Sequence, residues 1–342
     1  MNEKTKRVLI RTIGTPIVLA VLFGVLLLPW FWATETGLII YSGGISLVVL
    51  IFSVGGLGEF YSMGHLKGYN PASLEGKIFA VSAQTLPWLL LLLTKDNYHK
   101  IIVSVSSMTL PSGFLIISCF AFFIIILSGL LSMLFLIYLL LKLIVWGRGR
   151  FTISDMSLTF WGWSYLILIE VGVGYGLVAA IEFPSMLLFP LFVIGINSGV
   201  NIGGYVIGKI FGKRKLAPNI SPNKTWEGAI GGFVLGTAIG ICVVIGLFPL
   251  LKSGEGIIHK ASHLWASTSH PFPFLPLLVI SGMVAVSVIF GDLIESAIKR
   301  WAGVKDSGKI KEFGGFLDMI DGYLVSTPLA AILFLLISLL SR

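Results

Sequence analysis

Three short stretches of this 342-residue chain carry residues suited to phosphate and metal chemistry. In the stretch that opens Gly291-Asp-Leu-Ile-Glu-Ser-Ala-Ile-Lys-Arg300, a helix would place Asp292, Glu295 and Lys299 on one face, at i, i+3 and i+7. A second stretch, Phe313-Gly-Gly-Phe-Leu-Asp-Met-Ile-Asp321, puts Asp318 and Asp321 three apart at the start of the last apolar run. Carboxylates where a helix leaves a bilayer are costly unless paired or bound to cations. Two such pairs at one depth could hold one or two divalent cations, and ligands that are all oxygen favour Mg²⁺ or Mn²⁺ over zinc. In the third stretch, residues 212–228, Ser221 before Pro222 predicts a helix N-cap with proline at the first helical position. Backbone N–H groups, the Ser221 and Thr225 hydroxyls and Lys224 would then converge on an anion, with Glu227 orienting a lysine or a water. An alternative stays open for the acids: they could neutralise Lys299, Arg300, Lys305 and Lys309 in a web of ion pairs.

The elements that position these residues read as membrane helices. The chain is 56% apolar and 12% charged, with a mean hydropathy of +0.96, which excludes an ordinary soluble domain, where about a quarter of residues are charged. Apolar runs fall at Val8–Trp32, Gly37–Leu57, Ile78–Thr94, Phe114–Trp146, Leu158–Ile181, Ser185–Phe211, Gly228–Leu251, Phe274–Gly291 and Tyr323–Leu340. The fold expected is all-α and polytopic, with about nine transmembrane helices at roughly 20 residues each. Residues 1–184 read as packing helices facing lipid, and residues 185–342 as the part carrying the site, with no linker between them. Val8–Trp32 is too long for a signal-peptide core and is expected to stay as a span. The 252–273 segment, with His259, His263 and His270, is expected to be an external loop. Cys119 and Cys242 both lie within apolar runs and imply no disulfide framework.

Basic residues test the topology. With a cytoplasmic N-terminus and nine spans, 19 of the 24 Lys and Arg residues fall in cytoplasmic segments, as the positive-inside bias requires. The net charge of +8 is spread over these short gaps, which points to lipid and phosphate contact and away from nucleic acid.

Ser221–Gly228, Gly291-Asp292, Glu295-Ser296, Lys299-Arg300, Lys305-Asp306, Gly314-Gly315 and Asp318-x-x-Asp321, in that order, resemble the phosphatidate cytidylyltransferases, or CDP-diacylglycerol synthases. The resemblance covers roughly residues 190–325 and implies transfer of a cytidylyl group from CTP to phosphatidic acid, releasing pyrophosphate. It implies Mg²⁺, often with a monovalent cation such as K⁺, and a multi-pass protein of the cell inner membrane with its active site facing the cytoplasm. On this reading Asp292, Asp318 and Asp321 are metal ligands, with Glu295 a further candidate, and Lys224, Lys299, Arg300 and Lys305 contact phosphate. Ser221 and Thr225 position the nucleotide, and Asn201 stands where the family usually has an aspartate. The family's usual Pro-Gly-His is replaced by Lys311-Glu312-Phe313, and its usual arginine within Asp-x-x-Asp by Met319. Membrane lipids are the surrounding partners, and a homodimer is left open.

Two rival classes share parts of this pattern. A transporter also gathers charges on glycine-rich helices, though more often at the bilayer midplane on broken ones. A CTP-dependent lipid kinase of the polyprenol type would use similar metal and phosphate devices, but needs a base for an alcohol acceptor.

Overall fold

A computed structural model of the chain describes residues 35–85, 130–145, 151–182, 189–252, 274–308 and 314–340. These form helices α1 (Glu35–Leu66), α2 (73–85), α3 (Leu130–Val145), α4 (Ile153–Glu182) and α5 (Phe189–Phe211). A two-stranded hairpin follows, β1 (Lys215–Ala217) and β2 (Ser221–Thr225). Then come α6 (Trp226–Lys252), α7 (Phe274–Ala302), the short α8 (Phe316–Ile320) and α9 (Tyr323–Leu340). The expected all-α membrane architecture is present. Among the described residues five segments are long and apolar enough to cross a membrane: Gly44–Leu66, Phe189–Phe211, Trp226–Ile245, Leu275–Ala302 and Phe316–Phe334. The Val8–Trp32 run, the histidine-bearing loop, Cys119, Lys309 and Lys311–Phe313 lie outside the described residues, as does much of Ile78–Thr94 and Phe114–Trp146.

Close packing of α5 on α6 builds the centre of the site-bearing half. A Cβ at Gly199 would lie 2.7 Å from the Gly236 Cα, and one at Gly203 would lie 2.6 Å from the Gly231 carbonyl oxygen. Only glycine lets two backbones meet this closely, which is how helices associate where lipid removes the hydrophobic drive. Asn197, buried on α5, donates to the Val193 carbonyl and the Ser326 hydroxyl, both at 2.9 Å, and so ties α5 to α9.

Two boundaries differ from the sequence expectation. The apolar run ending at Leu57 belongs to a helix that continues to Leu66, because Phe60, Tyr61 and Met63 are buried in the core beyond it. It stops at Gly68, whose φ of +81° is open to glycine. The other difference is a correction: Ser221 does not cap a helix. Residues 221–225 pair antiparallel with 215–217, Lys215 opposite Thr225 and Ala217 opposite Ser221. Pro218 and Asn219 occupy the middle of a turn closed by Ile220 N–H donating to the Ala217 carbonyl at 3.2 Å, the positions these residue types favour. The cap is Thr225, whose hydroxyl accepts from Gly228 N–H at 3.2 Å, and the helix begins at Trp226.

The connections at one end of the bundle meet. Asn70 N–H, after α1, donates to Asp155 at the start of α4 (2.5 Å), and Tyr69 stacks on Trp301 at the end of α7 (5.9 Å between centroids).

Candidate active site

At that same end, three carboxylates converge. Ligand oxygens of Asp292, Glu295 and Asp321 all lie within 4.8 Å of one another. Asp292 and Glu295 share a face of α7 by helical periodicity. Asp321 reaches them from the break between α8 and α9, where its carboxylate accepts from Gly322 N–H at 2.5 Å. Gly291 permits this approach: a Cβ there would sit 2.5 Å from the Asp321 carbonyl oxygen.

Lysines flank the acids on two sides. Lys224, from β2, pairs with Asp292 at 2.5 Å. Lys299 lies between Glu295 (2.5 Å) and Asp318 (2.6 Å). Glu295 is fully buried; Lys299 holds its Oε2, while its Oε1 has no hydrogen-bond partner among the described residues. Burying such an atom unpaired is expensive, so an acceptor left open beside two more carboxylates suits a bound cation. The donor set is entirely carboxylate oxygen, which fits a hard divalent ion.

Asp318 is engaged elsewhere. Besides Lys299, it accepts from Ser307 N–H (3.1 Å) and from Gly315 N–H (2.9 Å), the second being a contact from the first turn of α8 back to its N-cap. It does not belong to the group of three.

The remaining sequence-derived residues sort by neighbourhood. Asn201, Tyr205, Lys224, Thr225 and Asp292 line one cavity of 160 Å³ between α5, the hairpin, α6 and α7. Glu227 pairs with no lysine ammonium among the described residues; its carboxylate accepts from the backbone N–H groups of Lys213 (3.0 Å) and Arg214 (3.2 Å) and closes the entry to the hairpin. Arg300 donates to the carbonyls of Ile220 (3.1 Å) and Val304 (3.2 Å), fastening the hairpin turn to the end of α7. That end is closed by Gly303, at φ +78°, with Gly303 N–H on Arg300 and Val304 N–H on Lys299. Ser221 is half-buried on β2 and Lys305 is exposed beyond the turn.

One residue escaped the sequence reading. Glu59, from α1, accepts from Phe316 N–H and Leu317 N–H (both 2.9 Å) and from the Ser307 hydroxyl (2.8 Å). The signal for it was an ionisable side chain inside an otherwise apolar helix, which by default marks function.

Acids that could hold a cation, set between lysines, are compatible with phosphoryl transfer, and relatives narrow the reading. Residues 6–337 match the Cytidylyltransferase family. The chain is 40% identical over 148 residues to the phosphatidate cytidylyltransferase of Chlamydia pneumoniae, covering 43% of this chain and 42% of that one. It is 32% identical over 210 residues to the phosphatidate cytidylyltransferase of Bacillus subtilis, covering 60% and 68%. The Staphylococcus epidermidis protein of the same name is 31% identical over 210 residues, covering 61% and 69%. The chain thus spans less than half the length of the chlamydial relative and about two thirds of the other two. With nearly its whole length matched and its acids and lysines gathered at one end of a membrane bundle, the chain belongs to the cytidylyltransferase family.

Proposed function

We propose that this protein transfers the cytidylyl group of CTP to phosphatidic acid, forming CDP-diacylglycerol and releasing pyrophosphate, at the site around Asp292, Glu295 and Asp321. The observation that carries the reading is the junction of those three acids with Lys224 and Lys299, in a chain of this family. A phosphatidate oxygen forms a bond to the α-phosphorus as the bond to the β-phosphate oxygen breaks. The nucleophile is already an ionised phosphate and needs little base catalysis, so the demand is for charge neutralisation and alignment.

Asp292, Glu295 and Asp321 would hold Mg²⁺, accompanied by a monovalent cation such as K⁺. The divalent ion supplies Lewis-acid neutralisation of the triphosphate and its leaving group. Lys224 and Lys299 neutralise phosphate oxygens from opposite sides of the acids, and Lys305 adds a cation at the exposed rim. Asp318 fixes the direction of Lys299. Arg300 and Glu227 hold the hairpin so that Lys224, Thr225 and Ser221 keep their places. The Asn201 cavity accepts one part of the nucleotide, since pockets that enclose a whole drug-sized ligand run to about 300–1,000 Å³.

The site faces the cytoplasm of an inner membrane in this reading. Lys67, Lys77, Lys142, Lys213 and Lys299 all belong to segments at or near the end that carries the site, in keeping with the positive-inside bias. The acyl chains stay in the bilayer while the headgroup reaches the acids.

The deciding experiment supplies purified protein with phosphatidate, a divalent cation and CTP labelled on either the α- or the γ-phosphate. Label from the α-phosphate is expected in the lipid product, with pyrophosphate released. Label entering from the γ-phosphate would make the protein a CTP-dependent lipid kinase and overturn the proposal.

A further inference from the structure

Glu59 lies in the half of the chain that carries none of the acids or lysines of the proposed site, yet it bonds directly to the acidic turn. Its helix offers a complete seat for α8. Phe316 packs edge-on against Phe52 at 5.7 Å and rests on Gly55, where a Cβ would lie 2.6 Å from its ring. Leu317 and Ile320 pack over Gly56. One and two turns along the same face, Glu59 takes two of the N–H groups that have no partner within α8 at its start, those of Phe316 and Leu317. The positions 52, 55, 56 and 59 follow helical spacing, so a single stripe of α1 makes the whole seat.

From there a run of short contacts leads to the three acids. The Ser307 hydroxyl donates to Glu59 at 2.8 Å, and Ser307 N–H donates to Asp318 at 3.1 Å. Asp318 holds Lys299, and Lys299 holds Glu295. Glycine at 308 and 315 keeps the approach open, because a Cβ at either would collide with the Glu59 carboxylate. No other described carboxylate bonds to backbone N–H groups of α8 beyond its own Asp318.

We infer that Glu59 is a positioning residue: it fixes the start of α8 from across the bundle and thereby sets where Asp318 and Asp321 stand relative to Asp292 and Glu295. The inference rests on the cation-binding role proposed for those acids. Replacing Glu59 removes three acceptor contacts while leaving Asp292, Glu295, Asp318, Asp321, Lys224 and Lys299 unchanged. The turn then gains freedom, and a displacement of about 1 Å in a catalytic constellation costs about 10²-fold in rate.

Full-length wild type, Glu59→Gln, Glu59→Ala and the control Ser62→Ala are compared in the same lipid nanodiscs. Ser62 is exposed on α1 and bonds only back to the Gly58 carbonyl. Hydrogen exchange read by mass spectrometry is expected to speed up over 314–320 in both Glu59 variants, at least about tenfold for a lost network of this kind. Exchange in α5 and α6 should stay at the wild-type rate, and Ser62→Ala should match wild type throughout. Mn²⁺ titration by electron paramagnetic resonance is expected to show binding weakened about 10–100-fold in the Glu59 variants, as for outer partners of metal ligands. Unchanged exchange over 314–320 overturns the inference, and so does faster exchange spread evenly over the bundle, which would make Glu59 a general support of the fold. Faster local exchange with undiminished Mn²⁺ affinity overturns the link to the acids. Neither readout uses CTP or phosphatidate. Wild-type protein that passes both but transfers no cytidylyl group therefore counts against the proposed function and leaves Glu59 in its role; if wild type binds no Mn²⁺, the exchange pattern alone decides.

Discussion

Lys299 separates two kinds of carboxylate, and substitutions should tell them apart. Asp321 and Asp292 stand in the group of three, whereas Asp318 is spent on Lys299 and two backbone N–H groups. Asp321→Asn is expected to lower turnover by more than the roughly 10–100-fold that loss of an outer partner costs, with the melting temperature nearly unchanged. Asp318→Asn should cost both, because it breaks a buried ion pair and leaves the Lys299 ammonium facing an amide, even where the amide oxygen still accepts from the backbone. Turnover and thermal unfolding measured on the same preparations check this; an Asp321→Asn enzyme that keeps its rate and loses stability would return the acids to a purely structural role. The spacing of Asp292, Glu295 and Lys299 made their shared face legible, since helical periodicity settles it locally. The different fates of Asp318 and Asp321 were not legible. Asp321 keeps helical dihedrals, and it is Ser307, a long-range partner, that takes one of the two. Asn201 and Met319 stayed ambiguous in the sequence; the structure puts Asn201 at the cavity and packs Met319 against the core.

Among the elements, the α5–α6 seam sets the frame on which the hairpin and Lys224 stand. Gly203→Val should separate the two helices and sharply reduce folded protein, since its side chain would start 2.6 Å from the Gly231 carbonyl oxygen. Gly204→Ala, whose Cβ would meet only the Gly228 carbonyl oxygen at 3.6 Å, should be tolerated. Size-exclusion recovery in mild detergent distinguishes them. A second element test concerns the start of α4, where Thr152 and Asp155 cap one another: Thr152 N–H donates to Asp155 (2.8 Å) and Asp155 N–H to the Thr152 hydroxyl (3.2 Å). Burial pushes the Asp155 carboxyl upward, but the N–H of Asn70 and the hydroxyl and N–H of Thr152 outweigh it, so it titrates below the usual 3.8. A carboxylate whose folded value is depressed adds stability above its unfolded pKa and loses it as pH falls through the folded one. Asp155→Asn should therefore lower the melting temperature at pH 7, because a single amide oxygen cannot accept from all three donors that the two carboxylate oxygens take, and the gap to wild type should narrow as pH drops below about 4. A gap independent of pH would refute the assignment. The apolar runs were plain in the sequence because composition alone marks them. The hairpin was not, because Ser-Pro fits a helix start as well as a strand, and only the pairing of 215–217 with 221–225 decides.

For the molecule as a whole, orientation is the open quantity that function depends on. Cysteine placed at Asn223, exposed on the hairpin, should resist an impermeant reagent in intact cells and react once the membrane is opened, whereas cysteine at Ser253 or Ser267 should react from outside. The reverse pattern would turn the site away from cytoplasmic CTP. The division into a packing half and a chemical half, natural from where the charges fall in the sequence, leaves out the seat that α1 makes for α8, since a contact spanning 257 positions leaves no local trace.

The flanking of four acids by two lysines has a consequence for the sequence of events. Asp292, Glu295, Asp318 and Asp321 outnumber Lys224 and Lys299 by two, so the lysines alone do not balance them, and protons or a divalent ion must make up the difference. A cation in that place attracts a triphosphate, whereas protons on the acids offer it no comparable charge, and the attraction is strong in a low dielectric. CTP arriving without a cation should therefore find little foothold. Binding should be ordered, cation before or with nucleotide, so that equilibrium dialysis with a chelator present retains no CTP and restoring Mg²⁺ recovers it.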